Sequence, residues 1–176
     1  LFNYNCRLDA ASLALQKSYK SHATSDAVRD EKGRLWMATD KGLCYYDAQV
    51  DSIIRIDVAP TFPQHQKMRM IFDLEMINRD EIWLGSMRGL GRYHTEENTF
   101  SLYREEDGLV GNQVHYMLST SDGKLWLATR KGLSLFDPET ERFHNFGQED
   151  GIVNTFFHRR SGYQDSAGKI YLGGDQ

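Results

Sequence analysis

The sequence predicts an all-β fold: a partial β-propeller built from four-stranded antiparallel blades of about 45 residues. Two observations carry this. Gly33-Arg34-Leu35-Trp36-Met37-Ala38-Thr39-Asp40-Lys41-Gly42-Leu43 returns as Gly123-Lys124-Leu125-Trp126-Leu127-Ala128-Thr129-Arg130-Lys131-Gly132-Leu133, with a weaker copy over Glu81–Leu90 and a truncated one over Gly168–Gly174. The anchors Trp36, Trp83, Trp126 and Tyr171 lie 47, 43 and 45 residues apart, which matches a propeller blade and exceeds a leucine-rich or ankyrin unit.

The third unit shows how one blade is read. Val114 to Thr120 suits an inner strand, Ser121-Asp122-Gly123 a turn, and Lys124 to Thr129 a second strand whose Leu125 and Leu127 alternate with Trp126. Arg130-Lys131-Gly132 turns the chain into Leu133 to Phe136. Asp137-Pro138-Glu139-Thr140 then turns it into an outer strand around Arg142 to Phe146, with proline where no ladder N–H is needed. The third strands align as Leu43-Cys44-Tyr45-Tyr46, Leu90-Gly91-Arg92-Tyr93 and Leu133-Ser134-Leu135-Phe136, so Cys44 fills a small-residue packing slot.

These registers divide the chain into an irregular N-terminal segment with an outer strand (1–20), blades at 21–65, 66–108 and 109–150, and a truncated last blade at 151–176. From Arg7 to Lys20 the spacing of Leu8, Ala11 and Leu15 is helical while the repeat register is not, so an irregular connection is expected there. A fourth unit that stops after its second strand, together with the absence of a starting Met, fits a segment of a larger propeller, since rings close with roughly four to eight blades.

Composition narrows function. With 21 Lys plus Arg against 25 Asp plus Glu and no basic block, the electrostatic footprint of a nucleic-acid binder is missing. Cys6 and Cys44 are far apart and form no CxxC, which argues against a zinc site or disulfide framework. No two of the six histidines are close in sequence, so no local metal pair exists, and no cofactor is expected. Gly89-Leu90-Gly91 lacks the third glycine of a dinucleotide fingerprint and reads as a hairpin turn. GxSxG, P-loop and SxxK motifs are absent, so an enzyme would need a site assembled by the fold.

Repetition gathers equivalent turns on one face. Lys41, Arg88 and Lys131 each precede a turn glycine, with Arg130 beside the last, while Asp107-Gly108-Leu109 and Asp150-Gly151-Ile152 precede Asn112 and Asn154. The bland reading is a rim of mutually neutralising charges worth about 0 to 1 kcal/mol per exposed pair. The sharper reading is a polar ligand site of Arg88, Arg130, Lys131, Asn112 and Asn154, joined by inner-strand His115, His158, Arg159 and Arg160. The recurring tryptophans are favoured as core rather than sugar platforms.

The signature Asp30-x-x-Gly33-Arg34-Leu35-Trp36-Met37-Ala38-Thr39-x-x-Gly42-Leu43, repeated at Trp126 and weakened at Trp83, resembles the two-component regulator propeller repeat from about Ala23 onward. The second copy departs at Ile77 and Ser86, and the fourth has Tyr171 for Trp and Gly-Gly for Ala-Thr. The resemblance implies the periplasmic sensor region of a hybrid two-component regulator, anchored in the inner membrane, homodimeric in its parent, and signalling oligosaccharide binding to a histidine kinase. Its expected partners are an oligosaccharide or other small polar ligand and the remaining blades or another copy, with no nucleic acid and no membrane contact by this segment. The rivals are a propeller enzyme, such as a polysaccharide lyase or hydrolase, and a protein-interaction scaffold.

Overall fold

A computed structural model describes residues 4–8, 15–20, 23–56, 68–153 and 156–175. Three complete four-stranded antiparallel sheets follow one another along the chain. The first is β3 (Thr24–Arg29), β4 (Leu35–Thr39), β5 (Gly42–Asp47) and β6 (Ser52–Arg55); the second is β7 (Ile71–Met76), β8 (Glu81–Ser86), β9 (Gly89–His94) and β10 (Thr99–Tyr103). The third is β11 (Val114–Ser119), β12 (Leu125–Thr129), β13 (Leu133–Asp137) and β14 (Arg142–Phe146), and among the described residues β15 (Phe156–Gln164) pairs with β16 (Ile170–Asp175) alone. β3 packs on β7, β7 on β11 and β11 on β15, so the first strands stand side by side as propeller blades require. The fold is an all-β partial propeller.

The N-terminal expectation needs one correction. β1 (Tyr4–Leu8) and β2 (Leu15–Lys20) form an antiparallel hairpin in which Tyr4 faces Lys20 and Arg7 faces Lys17. Much of the stretch expected to be irregular is therefore extended. Three apolar residues at helical spacing cannot offset the cost of nucleating a helix, whereas a paired strand satisfies the backbone directly. Ala11 lies outside the described residues.

The recurring hydroxyl and glycine of the repeat close the same turn in each complete blade. The hydroxyl of Thr129 donates to the Gly132 carbonyl at 2.9 Å and accepts the Lys131 amide at 3.0 Å, which locks the turn between second and third strands. Thr39 does the same with Gly42 and Lys41, and Ser86 with Gly89 and Arg88. The glycines sit at φ 127°, 139° and 147° in the three turns, a region a Cβ disfavours.

The aspartate of the signature serves the tryptophan. Asp30 is buried, and its carboxylate accepts the Arg34 amide at 2.8 Å, Arg34 Nε at 2.6 Å and Trp36 Nε1 at 2.9 Å. Burial pushes its pKa up, but these donors outweigh burial and hold it below the ordinary value. Asp165 repeats the arrangement at the fourth anchor, where the Tyr171 hydroxyl lies 3.3 Å away. Where the second copy carries Ile77 in place of the aspartate, Trp83 Nε1 is buried and has no hydrogen-bond partner among the described residues.

The core lies between sheets, as the repeating aromatics require. Trp36 of the first blade meets Tyr93 of the second at 5.8 Å between ring centroids, and Trp83 of the second meets Phe136 of the third at 5.4 Å. Trp36 and Trp83 are thus core residues, and Cys44 is a buried small residue whose thiol burial holds protonated.

Candidate functional site

The site grows from an irregularity shared by the first strands. In β3, β7 and β11 the ladder skips one residue after the first pair, which leaves Ser25, Phe72 and His115 outside the regular pairing. Such bulges re-aim a side chain. In β15 the interruption runs from Phe157 to Gly162 and holds His158, Arg159, Arg160 and Ser161. Ser161 Oγ, within hydrogen-bond distance of the His158 carbonyl (2.8 Å) and the Gly173 carbonyl (2.7 Å), ties its base to β16.

These bulges converge. His115, 6% exposed, donates from Nδ1 to the Phe157 carbonyl at 2.7 Å and meets Phe72 and Phe156 edge-on at 5.4 and 5.8 Å. The Arg159 guanidinium lies 3.8 Å from the Phe72 ring centroid, and that of Arg130 lies 5.3 Å from the Phe156 centroid. His158 meets Phe156 at 5.2 Å. Burial lowers the His115 pKa, and the nearby charges of Arg159, Arg130 and His158 lower it further, against the pull of the Phe157 carbonyl. The imidazole is therefore neutral at physiological pH, between two exposed cations that rest on aromatic faces.

That arrangement suits recognition more than catalysis. A guanidinium with one face on a ring keeps its in-plane N–H donors for carboxylate, sulfate or hydroxyl oxygens. His115 has its Nδ1 proton committed to a carbonyl, so it is not oriented by a carboxylate as a triad base would be. Among the described residues, no group of three His, Cys, Asp or Glu side chains is placed to hold a metal ion.

Two of the other expected ligand residues contact a rim loop. Lys131 Nζ pairs with Glu105 Oε2 at 2.6 Å, and Asn112 brackets the same loop, its Oδ1 accepting the Glu105 amide at 2.9 Å while its amide donates to Glu105 Oε1 at 3.1 Å. Lys131 holds the Glu105 carboxyl below its ordinary range. The recurring Asp-Gly pairs close short 3-10 turns at Glu105–Asp107 and Gln148–Asp150, where Asp107 accepts the Arg104 amide and Asp150 the Gly147 amide. Arg88 is exposed at the tip of the second blade's turn. Asn154 lies outside the described residues, as does the side chain of Arg160.

One set of functional-looking residues escaped sequence reasoning. Asp26 and Asp73 both stand ten residues before the repeat tryptophan, on the first strands. Asp26 accepts the Leu74 amide at 3.0 Å and Asp73 accepts the Met117 amide, so each carboxyl ties its own first strand to that of the next blade. Glu75 adds the Ser119 hydroxyl at 3.3 Å. Burial pushes Asp73 up to about 8, helped by Asp26 and Glu75 and opposed by the Met117 amide. The common spacing from Trp36 and Trp83 was the available signal. In the third unit Tyr116 takes that place.

The family model of the two component regulator propeller matches residues 108–131. Residues 108–131 carry that repeat. No curated protein sequence matches the chain. Among solved structures, an extracellular domain of a protein assigned to the one component systems of B. thetaiotaomicron aligns over 95% of this chain and 23% of its own, at 16% identity and a TM-score of 0.75. The extracellular domain of a hybrid two component system from the same organism aligns over 88% of this chain and 22% of its own, at 24% identity and a TM-score of 0.67. Puromycin hydrolase aligns at 12% identity and a TM-score of 0.50, over 96% of this chain and 28% of its own. The chain thus spans under a quarter of the first two structures, and at these identities the likeness is one of fold. Among the described residues, no helix is long and apolar enough to cross a membrane.

Proposed function

We propose that this chain forms part of a non-enzymatic, exported sensor region of a hybrid two-component regulator, and that it binds an anionic or hydroxyl-rich oligosaccharide whose capture is relayed to a histidine kinase. The observation that carries the reading is the cluster of Arg130 and Arg159 stacked on Phe156 and Phe72 around neutral His115. The propeller repeat at 108–131 supports the sensory class. Of the residues singled out in the sequence, Arg130, Arg159, His158 and His115 make the ligand surface in this reading. Lys131 and Asn112 stabilise the rim loop in this reading, and Arg88 lies exposed at the turn of the second blade.

Calorimetry on the complete ectodomain with a panel of neutral and acidic oligosaccharides tests it. Arg130→Ala and Arg159→Ala should each weaken the bound sugar by about 1 to 3 kcal/mol, the loss of a charged hydrogen bond, while Lys131→Ala leaves affinity unchanged. Equal affinity in the double arginine variant, with melting behaviour intact, would remove the cluster from the site. Hydrolysis of any panel member would overturn the non-enzymatic reading.

A further inference from the structure

The carboxyl of Asp73 is one residue from the aromatic ring that carries Arg159. Asp73 follows Phe72 in β7, and Met117, whose amide it accepts, comes two residues after His115 in β11. One bond therefore pins β7 to β11 beside the point where the Phe72 and His115 rings meet edge-on at 5.4 Å. Phe72 stands at a bulge, outside the regular pairing of β7 with β8. The position of its ring, 3.8 Å from the Arg159 guanidinium, thus depends on what holds its neighbour Asp73.

Asp73 is 6% exposed and hydrogen-bonded to a second carboxyl, Asp26 of β3. Two carboxylates offer only acceptors, so that bond exists only while a proton is shared between them. The titratable groups facing Asp73 are Asp26, Glu75 on its own strand, and Tyr116 of β11, whose phenol is held protonated by burial and by the three acids. β8 sets Gly85 opposite Asp73, and β4 (Leu35–Thr39) brings no ionisable side chain. Among these described neighbours there is no cation. Loss of the proton therefore leaves Asp73, Asp26 and Glu75 to repel one another at the seam, and burial with those two acids places the loss at about pH 8.

We infer that the proton shared by Asp73 and Asp26 is a switch on the Arg159 site: with it Phe72 holds the guanidinium for an anionic ligand, and without it the seam of β3, β7 and β11 loosens and that contact is lost. The switch regulates the ligand surface proposed above and rests on that reading. Two effects act in the same direction. Repulsion displaces Phe72 together with its neighbour, and the new negative charge one residue away disfavours an anion on Arg159. The linkage is reciprocal, so a bound anion raises the pH at which Asp73 ionises.

The Arg159 side-chain protons, shifted upfield by the Phe72 ring, report the contact in nuclear magnetic resonance spectra of the 176-residue chain without any ligand. Between pH 6 and pH 9 that shift should collapse in the wild type with a midpoint near pH 8. It should persist in Asp73→Asn, whereas Asp26→Asn, which offers ionised Asp73 a donor, should move the midpoint down. The probe for binding is sucrose octasulfate, whose sulfate esters stay ionised across this range. From pH 6 to pH 9 its affinity should fall about tenfold more in the wild type than in Asp73→Asn, a difference to which the histidines, common to both, do not contribute. A ring shift that does not titrate, or titrates alike in the wild type and Asp73→Asn, overturns the inference, as does a probe affinity with the same slope in both. A shift that titrates as expected while the probe binds at no pH upholds the switch and refutes the anionic-ligand reading instead.

Discussion

The carboxyl of Asp73 makes the propeller's stability depend on pH in an unusual direction. It is 6% exposed, accepts the Met117 amide and shares a hydrogen bond with Asp26, and burial beside Asp26 and Glu75 raises its pKa to about 8. A folded pKa above the unfolded value means that the protonated acid is the form the fold prefers. The stabilisation is therefore complete below the unfolded pKa near 4 and is lost as pH rises through about 8. Between pH 6 and pH 9 the loss runs over the two units below that pKa at about 1.4 kcal/mol each, or about 3 kcal/mol. For a chain of this size that lowers the melting temperature by about 6 to 12 °C. Asp73→Asn keeps an acceptor for Met117 and a donor for Asp26 while abolishing titration. The variant should melt at nearly the same temperature at pH 6 and pH 9, with a residual slope from Glu75, whose pKa burial also raises. Circular dichroism melts at fixed ionic strength measure both proteins. A wild type as stable at pH 9 as at pH 6, or an asparagine variant with the same slope as the wild type, would refute the shared-proton staple.

Three further outcomes are expected. Trp83→Ala should cost about 3 to 5 kcal/mol, the usual loss for a fully buried large aromatic, and near-wild-type denaturant midpoints would show that the ring does not join the blades. Gly132→Val should be far more damaging than Lys131→Ala, because Gly132 sits at φ 147° in a turn where β-branching is strained, while the lysine holds only an exposed ion pair; equal melting temperatures would undo the turn assignment. Asp30→Ala should cost about 2 to 4 kcal/mol at pH 7 by stranding the Trp36 indole and the Arg34 donors. Because the Asp30 pKa is lowered on folding, the difference between wild type and variant should shrink as pH falls below 4. Urea titrations at pH 7 and pH 3 showing a constant difference would exclude the carboxylate from that role.

The sequence by itself determined the blade. Period-two alternation, the turn glycines and four anchors at near-constant spacing place β11 to β14 within a residue or so of where they stand, because strand, turn and core position are all encoded over a few neighbouring residues. It also separated core tryptophan from surface charge. The candidate site was legible only as a set of residue types: His115, Arg130, His158, Arg159, Lys131, Asn112 and Arg88 stand out in the sequence, and nothing local tells which of them touch. Only the tertiary structure shows their contacts: Arg159 stacks on Phe72 across blades two and four, and the ion pair of Lys131 with Glu105 closes a rim loop. The Asp26 and Asp73 staples needed the structure for the same reason. An aspartate on an alternating strand reads as a solvated residue until the neighbouring blade brings an amide within 3.0 Å and removes the water. Local periodicity encodes each blade, but desolvation and partner choice between blades depend on contacts some 40 residues apart in the chain, and those only the assembled ring of strands supplies.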